Sequence, residues 1–160
     1  MSPILQAAKR HALYWAWVVS LVATLGSLYF SEILGYEPCK LCWFQRIFMY
    51  PQAILLGMAC YRNDRKMAAY LLPLSIIGGC ISLYHVAEQK IPALAKLLPC
   101  TVGVPCNEDY INWLGFITIP TLALIAFVLM TCFLLLQKRT LREEEELENM
   151  EEPERGQTQA

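Results

Sequence analysis

The sequence predicts an all-α integral membrane protein built as a four-transmembrane-helix bundle. Hydrophobic residues make up 56% of the 160 residues, charged residues only 17%, and the mean hydropathy is +0.38. These values are more apolar than those of ordinary soluble domains. A chain of this length forms at most one domain. Four apolar runs, each long enough to cross a hydrocarbon core of ~30 Å as a helix, complete the prediction.

The four runs give the predicted helices 12–34, 43–61, 67–85 and 113–136. The first run follows Lys9-Arg10-His11, as a secretory signal would. It is longer than a typical signal core and lacks a convincing cleavage site, so we interpret it as a retained helix. Pro51 lies inside the second run, where we expect a kink that a packed membrane helix tolerates.

Basic residues near the ends of the runs predict the orientation, because cytoplasmic loops are enriched in Lys and Arg. With the N-terminus inside, eight basic residues face the cytoplasm: Lys9, Arg10, Arg62, Arg65, Lys66, Lys138, Arg139 and Arg142. Four then face outside: Lys40, Arg46, Lys90 and Lys96. We therefore expect both termini in the cytoplasm and the loops 35–42 and 86–112 on the outer side.

The C-terminal segment differs from the rest in charge. Residues 143–160 carry eight of the fourteen acidic residues and little apolar content. We predict that residues 1–142 form the membrane domain and that 143–160 form a disordered acidic cytoplasmic tail. A basic patch interleaved with aromatics is absent from the sequence, so nucleic acid is not an expected partner.

Seven cysteines divide into two groups. Three lie within apolar runs and are interpreted as small apolar residues: Cys60, Cys80 and Cys132. Four lie in the predicted outer loops: Cys39, Cys42, Cys100 and Cys106. Disulfides persist outside the cytoplasm, so the second group is placed where thiol–disulfide chemistry is possible.

The Cys39-Lys40-Leu41-Cys42 pair stands at the start of a predicted helix, where free N–H groups and the helix dipole favour a thiolate. Redox chemistry, a zinc half-site and a structural disulfide all remain open for such a pair taken alone. Cys100 and Cys106 enclose a short loop with Gly and Pro that a disulfide could close. Zinc bound by all four thiols fits this second spacing poorly, and no metal site is predicted.

Two further polar residues accompany the cysteine pair. Arg46 lies one helical turn beyond Cys42, where it could stabilise a Cys42 thiolate or an oxyanion on an acceptor dissolved in the lipid. An ordinary interfacial arginine that meets lipid headgroups is the alternative. His85, at the outer end of the third run, could join the same pocket or anchor the helix at the interface. We favour the anchor slightly.

Electrons taken from thiols by disulfide exchange need a final acceptor. The sequence carries no haem or nucleotide motif and predicts no metal site. A quinone dissolved in the membrane is the acceptor that fits the predicted location.

The sequence resembles the DsbB/BdbC family of membrane thiol–disulfide oxidoreductases over nearly the whole hydrophobic body. The resemblance rests on four motifs in order: Cys39-x-x-Cys42 with Gln45-Arg46, Pro99-Cys100, Pro105-Cys106, and Trp113-Leu-Gly-Phe116 leading into Ile119-Pro120. The short spacing of the second cysteine pair is most similar to the BdbC branch of Gram-positive bacteria. The acidic tail lies outside the resemblance.

The resemblance implies an enzyme of the bacterial cytoplasmic membrane that reoxidises a secreted or membrane-anchored thioredoxin-like thiol oxidase. It implies that the partner attacks Cys100, whose disulfide mate is Cys106. The pair Cys39 and Cys42 would reoxidise them, and Cys42 would pass electrons to a quinone beside Arg46. His85 maps less securely to the quinone site. Menaquinone is the implied acceptor, with ubiquinone as the other candidate.

Two alternatives are kept. Vitamin K epoxide reductases are also four-helix enzymes of quinones and thiols, but their loop cysteines precede the Cys-x-x-Cys pair, whereas here the pair comes first. The chain could also be a non-catalytic membrane adaptor whose loops are held by two structural disulfides. Structural disulfides resist mild reductants, whereas catalytic ones cycle with the supply of quinone.

Overall fold

The structure is a computed structural model, and it describes residues 11–91 and 118–157, with side chains as far as residue 150. Every regular element in these residues is helical. The helices are α1 (Ala12–Leu28), α2 (Lys40–Arg62), α3 (Met67–Lys90) and α4 (Ile119–Gln157), and a π-helical turn, Tyr29–Ile33, continues α1. Cys100, Cys106 and the predicted start of the fourth helix at 113 lie outside the described residues.

The four helices form an antiparallel bundle in which each packs against the next along the chain and α4 closes against α1. The helices α1 and α2 run in opposite directions. Arg46, near the start of α2, bonds to Ser27 near the end of α1, whereas Gly57, near the end of α2, lies against Trp17 near the start of α1. A buried core runs along the bundle axis, with Leu56, Leu71, Phe127, Met130 and Leu134 among its members. The bundle predicted from the sequence is therefore seen in the described residues.

Three described segments are long and apolar enough to cross a membrane: Ala12–Ile33, Met67–Lys90 and Ile119–Met150. Among the described helices, α2 does not reach the same hydropathy. Its polar residues Gln45, Arg46 and Gln52 explain the difference, and two of them are buried in the bundle rather than exposed to lipid. Large apolar side chains cover the outer surface of the bundle, among them Val22, Ile54, Tyr70 and Leu83. The fourth span and the orientation of the termini remain predictions.

The helix ends follow local chemistry. Cys39 is the N-cap of α2, so this helix begins three residues earlier than predicted. At its other end Asn63 adopts a left-handed conformation, with φ of 52°, and its N–H bonds back to the last carbonyls of α2. Asn tolerates this conformation better than most residues, which allows a four-residue turn to reverse the chain into α3.

The segment 143–160 was predicted to be disordered. In the structure α4 continues through most of it, without a break, to Gln157. Glu has a good helix propensity, and the ion pair from Arg142 to Glu146 at i+4 supports the helix by a few tenths of a kcal/mol. Arg65 in the α2–α3 turn also contacts Glu144 at 2.9 Å. Composition alone predicted disorder because it ignored these local helix-forming interactions.

Candidate redox centre

The first turn of α2 brings the two cysteines of the Cys-x-x-Cys pair together. Cys39 is buried, with 6% of its surface exposed, and Cys42 is half-buried. The two Sγ atoms lie 3.1 Å apart, and the backbone N–H of Cys42 donates to the Cys39 sulfur at 3.4 Å. The N-cap position therefore turns both sulfurs towards each other, as formation of a disulfide requires.

His85 reaches the same sulfur from α3. Its Nε2 atom lies 3.6 Å from Cys39 Sγ, and its side chain is 1% exposed. The α3 helix runs five residues beyond the predicted end at 85, so His85 lies inside it rather than at its terminus. This burial contradicts the interpretation of His85 as an interfacial anchor and places it in the pocket.

The surroundings of Cys39 favour its thiolate. The hydrogen bond with the Cys42 thiol is the largest effect, followed by burial, which acts in the opposite direction, and then by the hydrogen bond and charge of His85. Together with the backbone N–H of Cys42 these contacts lower the pKa of Cys39 to about 4. A thiolate at neutral pH is the nucleophilic form in disulfide exchange.

Arg46 lies one turn beyond Cys42, as predicted, and its guanidinium is held by α1. Its Nη2 donates to the carbonyl oxygen of Ser27 at 3.2 Å, and its Cζ lies 5.5 Å from the centre of the Trp43 ring. Tyr50 donates to the hydroxyl of the same serine at 3.3 Å. Ser27 is thus a site residue that the sequence did not reveal, since it lies 19 residues before Arg46.

A cavity of about 550 Å³ opens beside these residues. Its volume lies in the range of small-molecule and cofactor sites. Most of its lining is apolar and comes from α1, α2 and α4. Its polar lining includes Cys39, Cys42, Gln45, Arg46 and His85, together with Tyr50. The cavity therefore joins an apolar chamber to a pair of thiols and a positive charge.

A metal ion is the other occupant that this chemistry could hold. The ligand atoms of Cys39, Cys42 and His85 all lie within 4.8 Å of one another. Two thiolates on one tetrahedral zinc ion lie roughly 3.8 Å apart, from Zn–S bonds of about 2.3 Å. The observed 3.1 Å between the sulfurs is closer to a thiol–thiolate contact than to that geometry. The prediction of no metal stays a prediction.

The other cysteines of the described residues stand apart from this centre. Cys60 is half-buried, and Cys80 and Cys132 are exposed on the helix surfaces. The sequence named Gln45 within the first motif of the resemblance but gave it no role; it is 5% exposed and lies against His85. Its position at i+3 from Cys42, on the same face of α2, was the signal that could have singled it out.

Comparisons with known proteins identify the family of the chain. The profile of the family described as disulfide bond formation protein DsbB matches residues 9–137. The chain is 56% identical over 126 residues to disulfide bond formation protein C of Bacillus subtilis. This alignment covers 79% of this chain and 91% of the Bacillus protein. A probable disulfide formation protein of Coxiella burnetii is 42% identical over 134 residues, and this alignment covers 83% of this chain and 91% of the Coxiella protein. No solved structure matches the chain.

Proposed function

Because the chain belongs to the DsbB family of disulfide bond formation proteins, we propose that it reoxidises a thioredoxin-like thiol oxidase and delivers the electrons to a membrane quinone. Membership of the family confirms the resemblance to DsbB/BdbC proteins and supports a role in disulfide formation. The observation that carries the proposal is the opening of the Cys39–Cys42 pair into an apolar cavity beside Arg46.

The chemistry at the pair is an oxidation. As the Cys39–Cys42 pair closes to a disulfide, the S–S bond forms and the sulfurs give up two electrons and, because Cys39 is already a thiolate, the one proton of Cys42. A quinone bound here would accept both electrons, with that proton and a second one from water, and would become a quinol. With the Cys39 sulfur 3.1 Å from that of Cys42, closure needs only a small movement. The low pKa of Cys39 provides the nucleophile for this step.

Arg46 and the apolar lining have separate tasks in this proposal. The apolar residues from α1 and α4 accommodate a ring that is soluble in lipid. The guanidinium of Arg46, fixed by the Ser27 carbonyl, stabilises negative charge on an oxygen that lies next to Cys42. Cys42 is therefore the sulfur that we place nearest the acceptor, and Cys39 the one that closes the disulfide behind it.

The upstream half of the relay involves Cys100 and Cys106. In the proposal the thiolate of the partner attacks Cys100 and opens the Cys100–Cys106 disulfide through a mixed disulfide. The pair is then reoxidised by Cys39 and Cys42. The partner is a secreted or membrane-anchored thiol oxidase, and menaquinone is the expected acceptor, with ubiquinone as the alternative. The site faces the outside of the bacterial cytoplasmic membrane.

The decisive experiment follows quinone absorbance while the purified protein turns over with a reduced thioredoxin-like partner. Cys42→Ser should abolish quinone reduction, because it removes the sulfur beside Arg46. Cys60→Ser is the matched control, since Cys60 lies on the same helix and is also half-buried. Near-normal turnover by Cys42→Ser would contradict the proposed role of Cys42 in quinone reduction and would favour an adaptor with structural disulfides.

Arg46→Ala tests the acceptor side separately. We expect the apparent KM for quinone to rise about tenfold or more, since a charged hydrogen bond is worth about 1.5–3 kcal/mol. Thiol exchange with the partner, followed without quinone, should change little. Arg62→Ala, an exposed arginine at the far end of α2, is the control. An unchanged KM would mean that Arg46 only anchors the helix at the interface.

A further inference from the structure

The side-chain amide of Gln45 is buried between α2 and α3, directly beneath the redox centre. Its Nε2 lies 3.1 Å from Nδ1 of His85, and both side chains are almost fully buried. The opposite nitrogen of the same ring, Nε2, lies 3.6 Å from Cys39 Sγ. Gln45, His85 and Cys39 thus form a chain of contacts that ends at a redox sulfur.

The chemistry of the amide fixes where the proton of the ring lies. An amide nitrogen donates hydrogen bonds and does not accept them, whereas a neutral imidazole has one donor and one acceptor nitrogen. With the Gln45 amide nitrogen facing Nδ1, that atom must accept. The ring proton then lies on Nε2, the nitrogen that faces Cys39. The amide orientation in the structure therefore implies one tautomer of neutral His85.

We propose that Gln45 is a positioning residue that holds His85 in its Nε2–H tautomer, so that the ring donates a hydrogen bond to the Cys39 sulfur. Gln45 contacts neither sulfur itself and acts only through the ring. A hydrogen bond from this proton stabilises the thiolate of Cys39 more than its thiol. Any effect of this hydrogen bond on the rate of quinone reduction rests on the proposed function, whereas the tautomer of His85 does not depend on it.

Other charged or titratable groups near Cys39 also influence its thiolate, so the test must distinguish their effects from that of Gln45. Cys42 and Arg46 approach from α2, Glu88 from α3 and Glu37 from the segment before α2. Glu88 is 4% exposed, and its Oε2 has no hydrogen-bond partner among the described residues. A change in charge at any of them would also alter the Cys39 thiolate. Gln45 is neutral, so its removal tests the tautomer without adding or removing a charge.

Nitrogen NMR of the reduced protein reads the tautomer directly. The chain has only two histidines, so His11→Gln leaves His85 as the single ¹⁵N-labelled imidazole. In the neutral ring we expect a protonated Nε2 and an unprotonated Nδ1. Gln45→Glu should place a proton on Nδ1, since a carboxylate accepts but does not donate. Gln45→Met should give a mixture of both tautomers. An Nδ1–H tautomer in the otherwise native protein would overturn the proposal.

The second readout is the rate of Cys39 alkylation against pH, resolved from Cys42 by mass spectrometry. For Gln45→Met we expect the alkylation rate on the plateau above pH 7, where Cys39 is a thiolate, to rise by roughly threefold, because the hydrogen bond from the ring to the sulfur is lost. Gln52→Met is the matched control, because Gln52 is buried on the same helix but bonds to Phe48 and Ser75. Equal changes in both variants, or no change with Gln45→Met, would contradict the positioning role.

The two hypotheses fail in different ways. Absence of quinone reduction by the unaltered protein would overturn the proposed function and leave the tautomer result intact. Normal quinone reduction together with an Nδ1–H tautomer would overturn the role of Gln45 alone.

Discussion

At the scale of single residues, the contacts around Cys39 come from distant parts of the chain. The sequence predicted a Cys39–Cys42 pair at a helix start, and Cys39 is the N-cap of α2. Its competence in thiol exchange stays a prediction. The sequence could not show that His85, 46 residues away, lies 3.6 Å from the Cys39 sulfur. Sequence spacing identifies partners within a helix, such as Arg46, but contacts between helices depend on packing that no local pattern encodes.

The lowered pKa of Cys39 predicts an unusual pH profile. In the reduced protein, alkylation of Cys39 should be nearly independent of pH from about 5 to 8 and should fall through its pKa of about 4. The unfolded chain binds more protons than the folded one between that value and about 8.5. The reduced protein should therefore gain stability as pH rises across this window and lose it as pH falls through 4.

Alkylation of the urea-unfolded protein is the internal reference for this measurement, because its thiols should titrate near 8.5. A midpoint near that value in the folded protein would show that the N-cap and His85 do not stabilise the thiolate.

At the scale of helices, α3 and α4 approach closely at a glycine. A Cβ atom on Gly78 would collide with the ring of Phe127, a fully buried core residue. Gly78 and Gly79 are adjacent in the sequence, which does not show which of the two faces a neighbouring helix. Gly79 has only an ordinary contact, with 3.6 Å between its added Cβ and Phe127 Cβ.

This difference predicts opposite outcomes for two adjacent substitutions. Gly78→Ala should lower the free energy of unfolding by about 1–3 kcal/mol, since overpacking forces the ring to move. Gly79→Ala should be neutral or slightly stabilising, because alanine favours the helix more than glycine does. Thermal unfolding in detergent compares the two. Equal destabilisation by both would mean that helix packing at this point is looser than the structure shows.

At the scale of the whole molecule, the bundle places the redox centre at one end and the Asn63–Lys66 turn at the other. The four helices of the described residues fall on the predicted apolar runs, and α1 and α3 begin at the predicted residues. The length of α4 was not predicted from the sequence, because helix propensity in the Glu-rich segment outweighed the low hydrophobicity of that segment. At 39 residues α4 is roughly 58 Å long, far more than a hydrocarbon core requires.

The predicted orientation can be tested by labelling cells with a maleimide that does not cross membranes. In a cysteine-free background, Lys40→Cys should be labelled from outside, and Asp64→Cys only after the cells are lysed. Both positions are exposed in the structure, so access depends on the side of the membrane. Labelling of Asp64→Cys in intact cells would reverse the topology and place the redox centre in the cytoplasm.

The capping contact at Cys39 has a mechanical consequence. The same sulfur caps the first turn of α2 and, in the proposed function, enters a disulfide. When that sulfur enters a disulfide it loses its negative charge, and the Cys42 N–H keeps only a weak acceptor. The first turn of α2 should then loosen and tighten once in each cycle, and amide exchange at Cys42 would record it. In the proposed relay, each transfer of electrons would therefore change the backbone hydrogen bonding beside the cavity.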